Sequence, residues 1–251
     1  MQKMNSLLHA IYEPGPVPSR EEIEAAIRES VADALNTAEQ PGLLLSGGVD
    51  SGFLLYQVMQ YRSIPTFTVA GGHNHPDLLA AQRLAREWRN KHYAWVPDAK
   101  DIERARAIVK VRGSSYPGDE AVYLACEFAA RNGVKTLMAT DGIDELAGGY
   151  WWHANPSDRF PTFSATFDYF WQALWPEHLE PLLKSAKACG LEVAFPYLDE
   201  RVVGLWVRVP LEQRVSPGVP KAMWKEMVSG HIPQWVIRRP KLGFVSALTW
   251  G

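Results

Sequence analysis

Two cysteines, Cys126 and Cys189, are all that 251 residues contain. That is too few for a disulfide scaffold, and they lack the C-x-x-C or Cys/His spacing of a zinc or redox centre. Both are expected to be core thiols. An excess of charge of one sign is missing too: 26 Lys plus Arg stand against 28 Asp plus Glu, a formal net charge of -2. No broad field draws nucleic acid or anionic lipid, so any anion site must be local. No apolar run approaches the roughly 18 residues of a membrane span, and no signal-peptide core follows Met1-Gln2-Lys3-Met4-Asn5. The expected setting is the cytoplasm, without membrane or nucleic-acid partner. A Walker A loop, G-x-x-x-x-G-K-[ST], is absent as well, which removes support for γ-phosphate transfer by a P-loop enzyme.

What is present is a globular composition, 47% hydrophobic and 22% charged. Residues 1–18 end in a proline-rich run from Tyr12 to Pro18 and are expected to form an extended arm. Ser19 and Glu22 make a capping box for a helix over 20–38 with Ile23, Ile27, Val31 and Leu35 on one face. Strand-like runs at 42–46, 64–70, 92–96 and 135–140 then alternate with helical patterns at 50–61, 76–90, 98–110 and 118–131. That alternation predicts an α/β fold with a parallel sheet and ligands at the carboxyl ends of its strands. After Tyr150 the alternation stops and the pattern becomes mostly helical. The expected organisation is one domain over 19–251, with an α/β nucleotide-binding core over 19–150 and a C-terminal helical subdomain over 151–251.

Two segments at predicted strand ends carry chemistry. In Ser46-Gly47-Gly48-Val49-Asp50-Ser51, two glycines let the backbone approach a ligand and the following helix offers free N–H groups to an anion. Read structurally, it is only a strand-to-helix turn. Thr140-Asp141-Gly142-Ile143-Asp144-Glu145-Leu146-Ala147-Gly148-Gly149-Tyr150 gathers carboxylates that make sense beside a triphosphate when Mg²⁺ lies between them. The plainer alternative is an acidic helix start favoured by the macrodipole. His73-Asn74-His75 reads as a polar loop.

The first segment resembles the S-G-G-x-D-S signature of PP-loop ATP pyrophosphatases, with their adenine nucleotide alpha-hydrolase-like core. The second resembles S-G-[ED]-G-x-D-E-L-F-G-G-Y of the asparagine synthetases and their β-lactam-forming and peptide-cyclising relatives. Phe195-Pro196-Tyr197-Leu198-Asp199 and Arg239-Pro240-Lys241-Leu242-Gly243-Phe244 resemble the family's F-P-[FY]-L-D and R-P-K-x-G-F. The likeness to the synthetase domain runs from about Gln40 to Phe244. It departs at Ala139, Thr140 and Ala147, where Ser, Gly and Phe are usual.

The resemblance implies an AMP-forming ligase that binds ATP through Leu44, Ser46, Gly47, Gly48, Asp50, Ser51, Val69, Thr140 and Gly142. Leu44 and Val69 would face adenine, though plain core strand accounts for either. Asp50 and Asp144 would hold Mg²⁺, and Asp141 and Lys241 would be catalytic, the latter as a cation near the α-phosphate and acyl oxygen; alone, such a lysine would read as solvated surface. The first-choice substrates are aspartate and ammonia. Another acid and amine, with Asp119, Glu120 and the aromatics near Trp151 reshaping the acceptor pocket, or a non-catalytic nucleotide-binding relative, remain alternatives. The family's glutamine-dependent members begin with a catalytic cysteine, whereas this chain begins Met1-Gln2, so glutamine hydrolysis by that route is not expected. Ammonia as such, a separate glutaminase subunit and a homodimer stay open.

Overall fold

The computed structural model describes residues 10–111, 113, 118–155, 157–240, 242 and 247–248. Helix α1 (Arg20–Thr37) opens with the expected capping box: Ser19 Oγ accepts from Glu22 N–H while the Glu22 carboxylate accepts from Ser19 N–H. Ile23, Ile27, Val31 and Leu35 are its buried stripe. The alternation follows as β1 (Pro41–Leu44), α2 (Val49–Met59), β2 (Thr66–Val69), α3 (Pro76–Glu87), β3 (His92–Trp95), α4 (Ala99–Val111), α5 (Asp119–Arg131) and β4 (Thr136–Met138).

The C-terminal stretch is mostly helical, but the alternation resumes once. A fifth strand, β5 (Glu192–Ala194), pairs in parallel with β4. Three residues are too few to show a period of two, so sequence pattern could not separate this strand from its helical surroundings. His75 also differs from expectation. It is fully buried and caps α3, its Nδ1 accepting from Asp77 N–H at 3.1 Å. Cys126 is buried as expected, while Cys189 is half-buried.

All the strand pairings are parallel, and the order is β3-β2-β1-β4-β5. The chain thus builds outward from β1 in one direction and then restarts on its other side with β4. The carboxyl ends of β1 and β4 flank the crevice where strand order reverses, the position at which open α/β sheets bind ligands. Both motif segments emerge there. Around it, Phe53, Tyr197, Trp206 and Trp224, all fully buried, join α2 to the C-terminal helices in one core. Among the described residues no helix is long and apolar enough to cross a membrane.

One half-buried base on the sheet is expected to make stability pH-dependent. Burial lowers the His92 imidazole to about 4, and its Nδ1 lies 3.0 Å from Thr66 Oγ1. Between that value and the ordinary 6.5 the unfolded chain binds the extra proton, so this contribution is present above about 6.5 and lost as pH falls toward 4. The shift corresponds to roughly 3 kcal/mol at full effect. Denaturant titrations at pH 7.5, 5.5 and 4 should show a shallower decline for His92→Gln than for wild type; parallel declines would exclude His92 as the source.

Candidate active site

Gly47 shows why the first loop has its sequence. Its φ is +69°, and a Cβ there would lie 2.5 Å from the backbone of Ala80 and Ala81 in α3. Glycine alone satisfies both the left-handed conformation and the close approach. Ser46 and Ser51 brace the turn: their hydroxyls share a hydrogen bond at 3.1 Å, and Ser51 Oγ accepts from Ser46 N–H at 3.2 Å. Gly48 caps α2 without a side chain, so no side-chain cap occupies the start of that helix. Its N–H groups and positive dipole end suit a phosphate.

The second loop leaves β4 beside the first. Gly142, at φ +94°, caps the short helix α6 (Ile143–Ala147), and a Cβ there would overlap Leu198. That contact seats the acidic segment on the 3-10 turn Pro196–Leu198. The turn is itself tied to the first loop, since Tyr197 O–H donates to Asp50 C=O at 2.9 Å, and to α1, whose Ser30 O–H donates to Pro196 C=O at 2.8 Å. Burial, then the nearby Asp50 charge, pushes the Tyr197 phenol well above its usual value, so it remains a donor. Three separate sequence motifs therefore meet at one place.

Where they meet, the carboxylates of Asp50 and Asp144 converge on one cation, the ammonium of Lys221. Its Nζ is 2.6 Å from Asp50 Oδ2 and 2.8 Å from Asp144 Oδ1. Trp224 donates its indole N–H to Asp50 Oδ1 at 2.9 Å. Burial alone would lower the Lys221 pKa, but Asp144 and Asp50 together outweigh it and hold the ammonium above its ordinary value. The pocket favours a cation. Among the described residues no group of three or more His, Cys, Asp or Glu forms a metal cage. Two carboxylates beside a phosphate loop nevertheless suit Mg²⁺, which is commonly held by one or two carboxylates together with substrate phosphates.

Asp141, just before the Gly142 cap of α6, belongs to a second cluster with Glu145, Tyr150 and His178. Burial raises its carboxyl to about 6; His178 opposes the rise, while Glu145 and Asp144 add to it. Tyr150 O–H donates to Glu145 Oε1 at 2.7 Å and lies 3.1 Å from His178 Nε2. His178 is carried by the π-helical turn Trp175–Leu179 that joins α8 (Phe163–Leu174) to α9 (Glu180–Ala188), with α7 (Trp151–Ala154) preceding them. Tyr150 is fixed by stacking on Phe170, centroids 4.2 Å apart. A carboxyl with a raised pKa beside a Tyr–His pair can accept and pass a proton near neutral pH.

Of the sequence-predicted residues, Ser46, Gly47, Gly48, Asp50, Ser51, Asp141, Gly142 and Asp144 all lie on the two loops or the helix starts at the switch point. Thr140 is half-buried just after β4. Leu44 and Val69 end the adjacent strands β1 and β2 and sit in a shared apolar cluster with Leu248. Lys241 lies outside the described residues. Arg239, two positions earlier, pairs with Asp77 and donates to Ser46 C=O at 3.3 Å, tying its segment to the first loop. Asp119 is buried at the start of α5, and Glu120 faces Arg106 at 3.7 Å.

Sequence reasoning missed Lys221, Trp224, the Arg239 anchor and the Tyr150–His178 pair. A lone lysine carries no local mark of burial. For Tyr150, its place at the end of the acidic motif was the available clue.

The family model described as Asparagine synthase matches this chain over residues 22–183 and 166–250. A putative glutamine-hydrolyzing asparagine synthetase of Methanocaldococcus jannaschii is 27% identical over 79% of this chain and 38% of its own length. The glutamine-hydrolyzing asparagine synthetase of Homo sapiens is 27% identical over 96% of this chain and 47% of its own. The chain thus spans less than half the length of these curated relatives. Among solved structures, an NMN synthetase from Francisella tularensis is loosely similar, with a TM-score of 0.40 and 13% identity over 76% of this chain and 93% of that one. An ammonia-dependent NAD synthetase from Campylobacter jejuni gives 0.38 and 15% over 88% and 97%.

Proposed function

Because the chain belongs to the asparagine synthase family, we propose that it is an ATP-dependent carbon–nitrogen ligase that activates a carboxylate as its acyl-adenylate and passes it to an amine, releasing AMP and pyrophosphate. Aspartate and ammonia are the first-choice substrates. The observation that supports this reading best is the meeting, at the β1/β4 switch point, of a lysine-free phosphate loop with the convergent carboxylates of Asp50 and Asp144.

The loop from Ser46 to Ser51 binds the pyrophosphate end of ATP through the N–H groups opening α2. Leu44 and Val69 face the adenine, and Thr140 and Gly142 line the nucleotide from the other loop. Asp50 and Asp144 would hold Mg²⁺, which supplies charge neutralisation at the leaving pyrophosphate. Lys241 carries a positive charge to the α-phosphate and acyl oxygen, where negative charge grows as the amine attacks. Asp141 takes the proton the amine must lose, and Tyr150 and His178 pass it on. Splitting a difficult condensation through an activated acyl intermediate makes each step easier. The amine arrives as free ammonia or from a separate glutaminase subunit, in a cytoplasmic setting.

Carboxylate activation leaves an isotopic record. With ¹⁸O-labelled aspartate, one carboxyl oxygen should appear in AMP; product formed with unlabelled AMP would exclude an acyl-adenylate. The proton-accepting role predicts a pH response. Since burial raises Asp141 to about 6 and only its carboxylate accepts a proton, amide formation per free NH₃ should rise with pH through about 6. Asp141→Asn should lower that rate about 100-fold and remove the inflection. An unchanged profile would place the base elsewhere.

A further inference from the structure

We propose that Lys221 is a positioning residue that preforms the cation pocket, its ammonium holding Asp50 and Asp144 convergent before nucleotide binds and competing with a divalent cation for them. This rests on the assignment of those carboxylates to Mg²⁺ in the function proposed above. The two carboxylates come from helices after different strands, and like charges aimed at one point repel. A resident cation removes that repulsion while the site is empty.

The surroundings are built to keep the ammonium there. Lys221 is 4% exposed and sits at the start of α12 (Ala222–Val228), after α10 (Glu200–Trp206) and α11 (Leu211–Arg214). Its φ of 56° is left-handed, a conformation that costs a non-glycine residue on the order of 1 kcal/mol. The strain is held by a backbone bond in which Lys221 N–H donates to Gly148 C=O at 3.0 Å. Gly149 leaves the necessary space, since a Cβ there would overlap both Asp144 Oδ1 and Lys221 Cε. Trp224, on the same helix, holds the second oxygen of Asp50. The final glycine pair of the acidic motif thus serves a lysine more than seventy residues away, as well as its own helix end.

The consequence is an order of binding. A bare divalent ion meets carboxylates already neutralised in part and must displace a buried ammonium, so it binds weakly alone. With a nucleotide, the phosphates supply ligands to the metal and anionic partners for the displaced ammonium, and the exchange becomes favourable.

The test uses the full chain without nucleotide and Mn²⁺ as the probe, with free ion counted by electron paramagnetic resonance. Lys221→Met should bind Mn²⁺ at least about tenfold more tightly than wild type, whereas Lys221→Arg, which keeps the cation, should resemble wild type. If Lys221→Met needs divalent ion to fold, its melting temperature should rise with Mg²⁺ far more than wild type's, which supports the same competition. The double variant Asp50→Asn/Lys221→Met removes one carboxylate with the ammonium, leaving the pocket's net charge as in wild type, and should bind Mn²⁺ no more tightly than wild type. A folded Lys221→Met chain with wild-type Mn²⁺ affinity would overturn the proposal, as would Lys221→Arg binding as tightly as Lys221→Met. Failure of the ligase reading would appear separately, as no AMP from any acid.

Discussion

Asp50→Asn is expected to give a folded chain whose AMP formation falls by about a thousandfold. Asp50 supports three things at once: one oxygen takes the Lys221 ammonium at 2.6 Å, the other the Trp224 indole at 2.9 Å, and its backbone carbonyl the Tyr197 hydroxyl at 2.9 Å. Asparagine preserves the shape and the backbone bond, so the fold survives. It removes the charge that a cation beside pyrophosphate needs. Circular dichroism and AMP release on one preparation decide the matter. A folded Asn variant with wild-type AMP formation would remove Asp50 from the chemistry and with it the role assigned to the loop.

The largest effect on stability is expected from Arg214, which is fully buried. It donates to the carbonyls of Val209 at 2.7 Å, Leu146 at 2.9 Å and Ile11 at 2.9 Å. Its guanidinium lies 5.4 Å from the centre of the Phe167 ring. One side chain therefore ties the N-terminal arm and the C-terminal helices to α6, which carries Asp144. Burial lowers even this group to about 9, so part of its binding is offset by desolvation. Arg214→Met leaves three buried carbonyls without those donors, at about 1 to 3 kcal/mol each before relaxation. A net loss of about 3 kcal/mol and a melting temperature lower by about 10 °C are expected. Arg214→Lys should recover little, because an ammonium cannot span three carbonyls as the planar fork does. Recovery to wild-type stability by Lys would show that charge alone matters there.

The legible parts of this fold share a physical property: the information lies within a few residues. The capping box at Ser19 and Glu22, the apolar stripe of α1, and the apolar run into Ser46-Gly47-Gly48 are local patterns, and the structure matches them. The glycines at 47 and 142 sit where positive φ is required. Strand β5 was illegible because three residues carry no period, and its only evidence is its pairing with β4.

The site is unevenly legible for the same physical cause. Asp50 and Asp144 announced themselves through motifs, but Lys221 reaches Asp50 across 171 positions and Trp224 across 174. No periodicity connects such residues; only the packing of α12 against α2 does. His75 was misread for a related reason. In sequence it is one of two histidines in a polar loop, and only in the fold does its ring turn inward to cap α3.

Central to this account is cleavage of ATP between its α- and β-phosphates, driven by a carboxylate acceptor. The most direct test incubates the chain with ATP, Mg²⁺ and ammonium, with and without aspartate, and resolves the nucleotide and amino-acid products by mass spectrometry. AMP and pyrophosphate are expected in equal amounts, dependent on aspartate and matched by asparagine. ADP with inorganic phosphate, or AMP release unchanged by any carboxylate, would contradict this expectation.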